Sequence, residues 1–554
     1  MRNIIIKDYI SSLKEDKELD YIFTLLLENM DFQIVSTPHN TRGQTQYGKD
    51  VVATGKDENG RMWKWYFIIK GHAAKDINSY NFSSPDGIRE SLLVAKDVDF
   101  ESYSIPGFNK LPTKFVVVHN GTMLDNTRVQ FEDLIKKHFE EETVEEWNIE
   151  KLTRLFSKYL FNECLFADEE SFLLMKRVLV LLDSSNFSSL QQLVHIQFER
   201  SKDVSDIKSR IVAKLFSSLT LICLLVNQYA HEYNNLTPSK YCVDLIVIKT
   251  WEFIVKKGWE KEKHITNKFC KLIDLQVSIY FEYINKTYPL ASAKKGLFTY
   301  GESQTEPVCY PIRCFKYLDT LLYFSFLTET HCKPESRTDL RKRNIQYIER
   351  LIEANSGFDM TLLDTNSISL LYLTLYITGG DYCDDDMIFL GNYFSRIIQN
   401  IIIRLRRNKM LPETYGNEIA VAHSIYAKSN DYVDDSSLLL FYLATIVSMM
   451  ELDELYQLIV KIAEESNVNI QRIAPINIED VETKLFEGNM NDNIKIQMSL
   501  SLPNTIQEFL AMYPIGAYKK INFKCDNIGL PYIKLLAHMF YNIDVFLHEI
   551  FGKS

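Results

Sequence analysis

No cysteine precedes Cys164 in this 554-residue chain, and none of its nine cysteines forms a C-x-x-C pair. The closest two, Cys309 and Cys314, have no second pair at ligand spacing, which argues against a zinc site and for free thiols in a reducing compartment. Basic charge is short as well: 62 Lys and Arg against 73 Asp and Glu give a net charge of −11 and an isoelectric point near 5.6. Such a chain does not coat nucleic acid by bulk electrostatics, so any contact with DNA or RNA has to be a local patch. There is no G-x-x-x-x-G-K-[ST] phosphate loop, no H-E-x-x-H and no G-x-S-x-G, so P-loop nucleotide hydrolysis, zincin chemistry and a nucleophile elbow are not expected. The run before Lys7 has three apolar residues, too few for a signal peptide. The longest apolar stretch, residues 215–226, is too short to span a bilayer and reads as a buried helix. A cytoplasmic protein with no membrane partner is the expectation.

What is present is an ordinary globular composition, 46% hydrophobic and 24% charged, long enough for about three or four domains. One stretch carries chemistry: residues 44–72, QTQYGKDVVATGKDENGRMWKWYFIIKGH. Residues 51–55 are apolar and β-branched, 56–60 are polar and end in Asn-Gly, and 61–70 are aromatic and β-branched, which together make a hairpin signal. Asp50 stands at the mouth of the first strand and Lys70 at the end of the second, so the hairpin can bring both heads together. A carboxylate able to hold a divalent cation, beside an ammonium able to orient water and offset charge on a phosphate, is what a metal-dependent phosphodiesterase needs. Gln44 and Gln46 lie in the loop before Asp50, where substrate contact competes with plain loop filler, and His72 follows the lysine at the rim.

Asp50, the turn and Lys70 resemble the core of the PD-(D/E)XK nuclease superfamily, most closely the Mrr-like restriction endonucleases. The preceding helix, residues 19–32, strengthens the likeness: Asp20 falls on the family's helical acid and Asp31 on its glycine. The resemblance covers roughly the first 120 residues and implies Asp50 and Lys70 as catalytic residues with Mg²⁺ or Mn²⁺ as cofactor. It departs at Ile68, where the family has Glu or Gln and where the chain has no metal ligand. Three readings stay open: a retired nuclease core kept for binding, a ligand moved to Glu90 on the helix expected over 86–96, or a site in which Asp50 and Asp20 suffice with water. The candidate metal ligands are therefore Asp50 and Asp20, with Glu90 added on the migrated-ligand reading. If the hairpin is merely one ligand short, Ile68→Glu should raise activity.

After that helix come a buried strand over 114–121 and a helix from about 125 to 142, an α/β order that places a mixed sheet between helices. Eight of the twenty glycines lie in residues 1–150, and the acidic run at 140–146 marks the expected boundary. The expected fold is therefore a restriction-endonuclease-like mixed α/β domain over 1–145, followed by a large, mostly α-helical region over 146–554 with two or more subdomains and a break near 290–310. Residues 147–163 read as an amphipathic helix beginning at Trp147. Ser188 with Gln191, and Asn504 with Gln507, have capping-box spacing, and Gly379-Gly380 stops a helix. The basic cluster Arg404, Arg406, Arg407 and Lys409 suits a helix C-terminus as well as a phosphate. Asp381 with Asp384, Asp385 and Asp386 lacks EF-hand spacing and reads as a solvated turn. No repeat period is visible.

A nuclease-like domain fused to a large helical region resembles bacterial restriction and anti-phage effectors, in which the second part senses, oligomerises or binds a partner. The functional expectation is a metal-dependent nuclease of such a defence system, acting on nucleic acid, DNA before RNA, and working as a homo-oligomer or with a second defence protein. The competing expectation is a catalytically inactive nuclease-fold scaffold that binds nucleic acid or a partner chain.

Overall fold

The computed structural model describes residues 2–37, 47–71, 76–103, 105–160, 166, 168–184, 186–300, 305–380, 383–408, 410–427, 432–475, 478–490, 494–514 and 520–550. Gln44, Gln46, His72, Cys164, Asp381 and Lys409 lie outside them. Two compact units are resolved, Met1–Cys242 and Val243–Ser554.

The first unit is built on one five-stranded sheet in chain order. After helix α1 (Arg2–Ser12), a π-helical turn (Glu15–Leu19) and helix α2 (Asp20–Asn29), the strands are β1 (Gln33–Ser36), β2 (Val51–Lys56), β3 (Met62–Lys70), β4 (Thr113–His119) and β5 (Val144–Trp147). Strands β1, β2 and β3 pair antiparallel, and β3, β4 and β5 pair parallel. The β2–β3 hairpin is closed by Asp57, whose Oδ1 accepts from the N–H groups of Asn59 and Arg61 at 3.0 and 2.9 Å, an Asx turn that offers the backbone a local partner. The β3–β4 crossover carries α3 (Ser79–Ser83) and α4 (Ile88–Asp97), and α5 (Asp125–His138) joins β4 to β5.

Alternation along β3 divides the core. Trp65 and Phe67 lie on one face, where Phe67 packs edge-on against Phe23 of α2 and against Trp147 of β5. Tyr66 and Ile68 lie on the other, in an apolar cluster with Ile88, Leu92 and Ala95 of α4, Val117 of β4 and Phe131 of α5. Because Trp147 is a strand residue, the expected helix begins two residues later: Asn148 is the cap, accepting from the N–H groups of Glu150 and Lys151, and α6 (Ile149–Tyr159) follows with Ile149, Leu152 and Phe156 buried at helical spacing. The end of the acidic run, Glu145 and Glu146, is thus part of the sheet. Burial opposes the charge of Glu145, but hydrogen bonds from Lys114, Trp147 and Lys151 prevail and hold its carboxyl at about 2. The expected boundary at 145 falls inside β5, and the unit that contains the sheet continues through α7 (Glu169–Val180), α8 (Ser188–Glu199) and α9 (Arg210–Glu232). Helix α9 contains the 215–226 run and, by length and composition, could cross a membrane; 61% of its apolar window is buried inside the protein.

The boundary between units lies within the helix Thr237–Lys257, and the strands among the described residues of the otherwise mainly helical second unit form two two-stranded ribbons, Ser436–Ser437 with Asn469–Ile470 and Arg472–Pro475 with Ile494–Gln497. Its helices include Lys263–Ala291, Glu306–His331 and Asp384–Asn408. Buried polar side chains pin them: Asp244 accepts from Gln276 and Tyr280 at 2.9 Å, and Glu482 accepts from Trp251 at 2.9 Å. Two expected caps differ. Ser188 is the first residue of α8, after an uncapped Phe187, and the helix Ile506–Met512 is capped by Thr505, which accepts from Glu508 N–H, one residue beyond the expected Asn504. Arg404 donates to the carbonyl of Thr361, which occupies part of the basic cluster with a structural bond.

Candidate active site

Asp50 is the residue just before β2, and its geometry follows from the antiparallel ladder. Its N–H donates to the Phe67 carbonyl at 2.9 Å, and its Oδ2 accepts from the Ile69 N–H at 2.6 Å. The carboxylate is therefore clamped to β3 one residue short of Lys70. The loop that delivers it bends at Gly48, with φ +74° and so little room that a Cβ would stand 2.2 Å from the Ser91 carbonyl oxygen of α4. Burial pushes the Asp50 carboxyl up to about 6; the Ile69 hydrogen bond and Lys70 oppose the rise, while Glu15 and Asp20 add to it.

Lys70 ends β3 with its side chain 15% exposed, and its Nζ lies 4.0 Å from Oε1 of Glu15. The other Glu15 oxygen accepts from the Gly71 N–H at 2.7 Å. A Cβ on Gly71 would lie 2.9 Å from the Glu15 Cα and Cβ, so the strand end and the π turn meet this closely only with glycine there. Glu15 was not among the expected site residues. Its signal in the sequence is the glycine directly after the lysine, together with an acid run, KEDKE, that precedes the helical acid. Isolated π turns recur at functional sites, since the extra residue re-aims side chains. Asp20, the first residue of α2, is half-buried and adds to the negative potential at Asp50.

Asp50, Lys70 and Asp20 are thus brought together, with Glu15 as a fourth member. Glu90 stands apart. It is exposed in the first turn of α4, on the side of the helix opposite Ile88, Leu92 and Ala95, which pack under the sheet. Ile68 is fully buried in that same cluster, so the position where the resemblance would place a ligand is part of the apolar core here. Beside Lys70 in register lies His119 of β4. Its Nε2 is 2.9 Å from Glu146, which Arg128 also holds at 2.9 Å, and its buried Nδ1 has no hydrogen-bond partner among the described residues.

Among the described residues no group of three or more His, Cys, Asp or Glu side chains converges as a ready metal cage. The donor set fits a looser arrangement. Asp50 is a buried carboxylate whose charge is opposed by burial and by two neighbouring acids, and Mg²⁺ commonly takes one or two carboxylates and keeps its waters. A cation there would relieve the like-charge repulsion that Lys70 offsets only in part. Comparison of the chain with protein-family models, with curated proteins and with solved structures gives no match.

Proposed function

We propose that the first unit is a metal-dependent nuclease of a restriction or anti-phage system, hydrolysing phosphodiester bonds of DNA. The observation that carries the reading is the clamping of Asp50 to the Ile69 N–H, beside Lys70, with Glu15 and Asp20 adding negative potential. Two further details support it: a mixed sheet with helices on both faces, and the left-handed φ of +62° at Asp31, the position where the resemblance places glycine. Asp50 would hold Mg²⁺ or Mn²⁺ with Asp20 as the second carboxylate and water completing the shell, and the bound cation would activate water and offset charge on the phosphate. Lys70 presents its ammonium to the scissile phosphate, where it stabilises the charge that develops as the P–O bond breaks. Glu15, tied to Gly71, keeps Lys70 aimed. The acidic chain is a poor non-specific binder of DNA, so self-association or a second defence protein supplies the remaining surface, in a reducing cytoplasm. Metal-dependent cleavage that is lost in Asp50→Ala, with the fold retained by circular dichroism, tests the proposal.

A second reading is favoured by Ile68. An isoleucine at 0% exposure in the core is what a nuclease fold retained as a scaffold for nucleic acid or a partner chain would have. Tight binding of DNA with no cleavage under any metal would select it.

A further inference from the structure

On the far side of the π turn from Lys70, the first unit contains a cavity of about 310 Å³. It lies where the end of α1, the π turn, the end of α8 and the first turn of α9 meet. In a chain of net charge −11 its charged lining is four cations, Lys14, Arg200, Arg210 and Lys214, against one carboxylate, Glu18. Two of the cations are spoken for. Lys214 lies 2.6 Å from Glu18, and Arg200 is paired with Asp168 and Glu170 at 2.9 and 3.1 Å. The second Glu18 oxygen accepts from the Lys14 N–H at 2.8 Å, which leaves the Lys14 ammonium and the Arg210 guanidinium without an ion pair among the described residues. Arg210 is oriented, not loose: its Nε donates to the Ser12 carbonyl at 2.6 Å. Burial lowers its pKa and only Glu18 opposes this, the condition of a cation whose charge is under-compensated. Arg210 is also the first residue of the 23-residue α9, so the positive end of that helix dipole adds to the same field.

We propose that this cavity binds a small phosphate-bearing molecule, its phosphate oxygens held by Lys14 and Arg210 and its remaining atoms lying between α8 and α9. Size favours a small ligand over a nucleic-acid strand: the volume is at the low end of small-molecule pockets, whereas a strand needs a continuous cationic groove. The guanidinium is the residue type suited to bidentate phosphate contact. The cavity also shares the π turn with the candidate active site, Glu18 facing one and Glu15 the other. The binding claim does not depend on the nuclease reading.

Calorimetric titration of the full chain with inorganic pyrophosphate and with ATP, against sulfate at matched ionic strength, tests it. Saturable binding is expected for one or both probes, ATP alone marking a nucleotide and both marking a phosphate site open to free phosphates. The Lys14→Gln/Arg210→Gln double variant should weaken it about tenfold or more, whereas Lys202→Gln, on an exposed pair with Glu199, should not. If the double variant misfolds, Lys14→Glu alone, at an exposed position, must give the same loss. Absence of saturable binding, binding indifferent to Lys14 and Arg210, or Lys14- and Arg210-dependent binding of a short oligonucleotide under conditions in which neither probe binds, overturns the proposal.

Discussion

Lys70 and Glu15, fifty-five positions apart, meet at 4.0 Å because Gly71 lets the end of β3 run against a π turn. The ammonium is thereby fixed beside Asp50 from the helical side of the sheet instead of from its own strand. Glu15→Gln should keep the Gly71 hydrogen bond and the fold but remove the charge, lowering cleavage by about one to two orders of magnitude, in line with losing one positioned electrostatic group. Gly71→Ala should act on the same pair through backbone displacement. Rates and melting temperatures measured together separate the two: equal rate losses with stability lost only in Gly71→Ala is the expected pattern.

Lys70→Ala should cost several orders of magnitude in rate with little change in substrate affinity, since its role is with charge that develops in the transition state. Single-turnover kinetics alongside a binding isotherm measure both quantities. A weaker affinity with an unchanged rate would assign Lys70 to ground-state binding.

Ile68→Glu, on sequence grounds a candidate rescue, is expected to fail. The side chain is at 0% exposure among Ile88, Leu92 and Val117, and an unpaired carboxylate there costs several kcal/mol or forces its own protonation. Chemical denaturation should show a loss of about 3–5 kcal/mol. A stable Ile68→Glu protein with raised activity would mean that the core opens toward Asp50.

Stability should depend on pH through Asp50. Its carboxyl sits at about 6 in the fold against about 3.9 unfolded, so between those values the folded state holds more protons than the unfolded one. The group's contribution is present below about pH 4 and lost as pH rises to about 6, roughly 3 kcal/mol in all. Asp50→Asn should flatten that fall and raise the melting temperature at pH 8. Mg²⁺ should raise the melting temperature of the native chain at pH 8, by mass action on the folded state, and leave Asp50→Asn unmoved.

The hairpin, the strand over 114–121 and the helical character beyond were legible because each has a strong local signature: β-branched alternation, Asn-Gly turns and apolar residues at helical spacing. Strand β5 was not. Its residues, Val144-Glu145-Glu146-Trp147, include two acids that sequence alone reads as solvated, and only Lys114, Lys151, His119 and Arg128 arriving from elsewhere make them tolerable in a sheet. The extent of the first unit was hidden for a related reason, since α7 to α9 carry the same helical pattern as the second unit and only tertiary packing assigns them. At the site, Asp50 and Lys70 could be read from one hairpin, and Asp20 from the resemblance. Glu15 depends on a contact across the fold, and Glu90 looked eligible because helix position alone does not tell which side faces the sheet.

The most direct test of the account is cleavage itself. Purified full-length protein would be incubated with plasmid, linear duplex, single-stranded DNA and RNA, with Mg²⁺ or Mn²⁺ and then with chelator, beside Asp50→Ala. The account predicts metal-dependent cleavage of DNA by the native chain, with its native partner protein where one co-purifies, abolished by chelator and by Asp50→Ala. Silence on every substrate and metal with that partner present, or cleavage that survives Asp50→Ala, would contradict it.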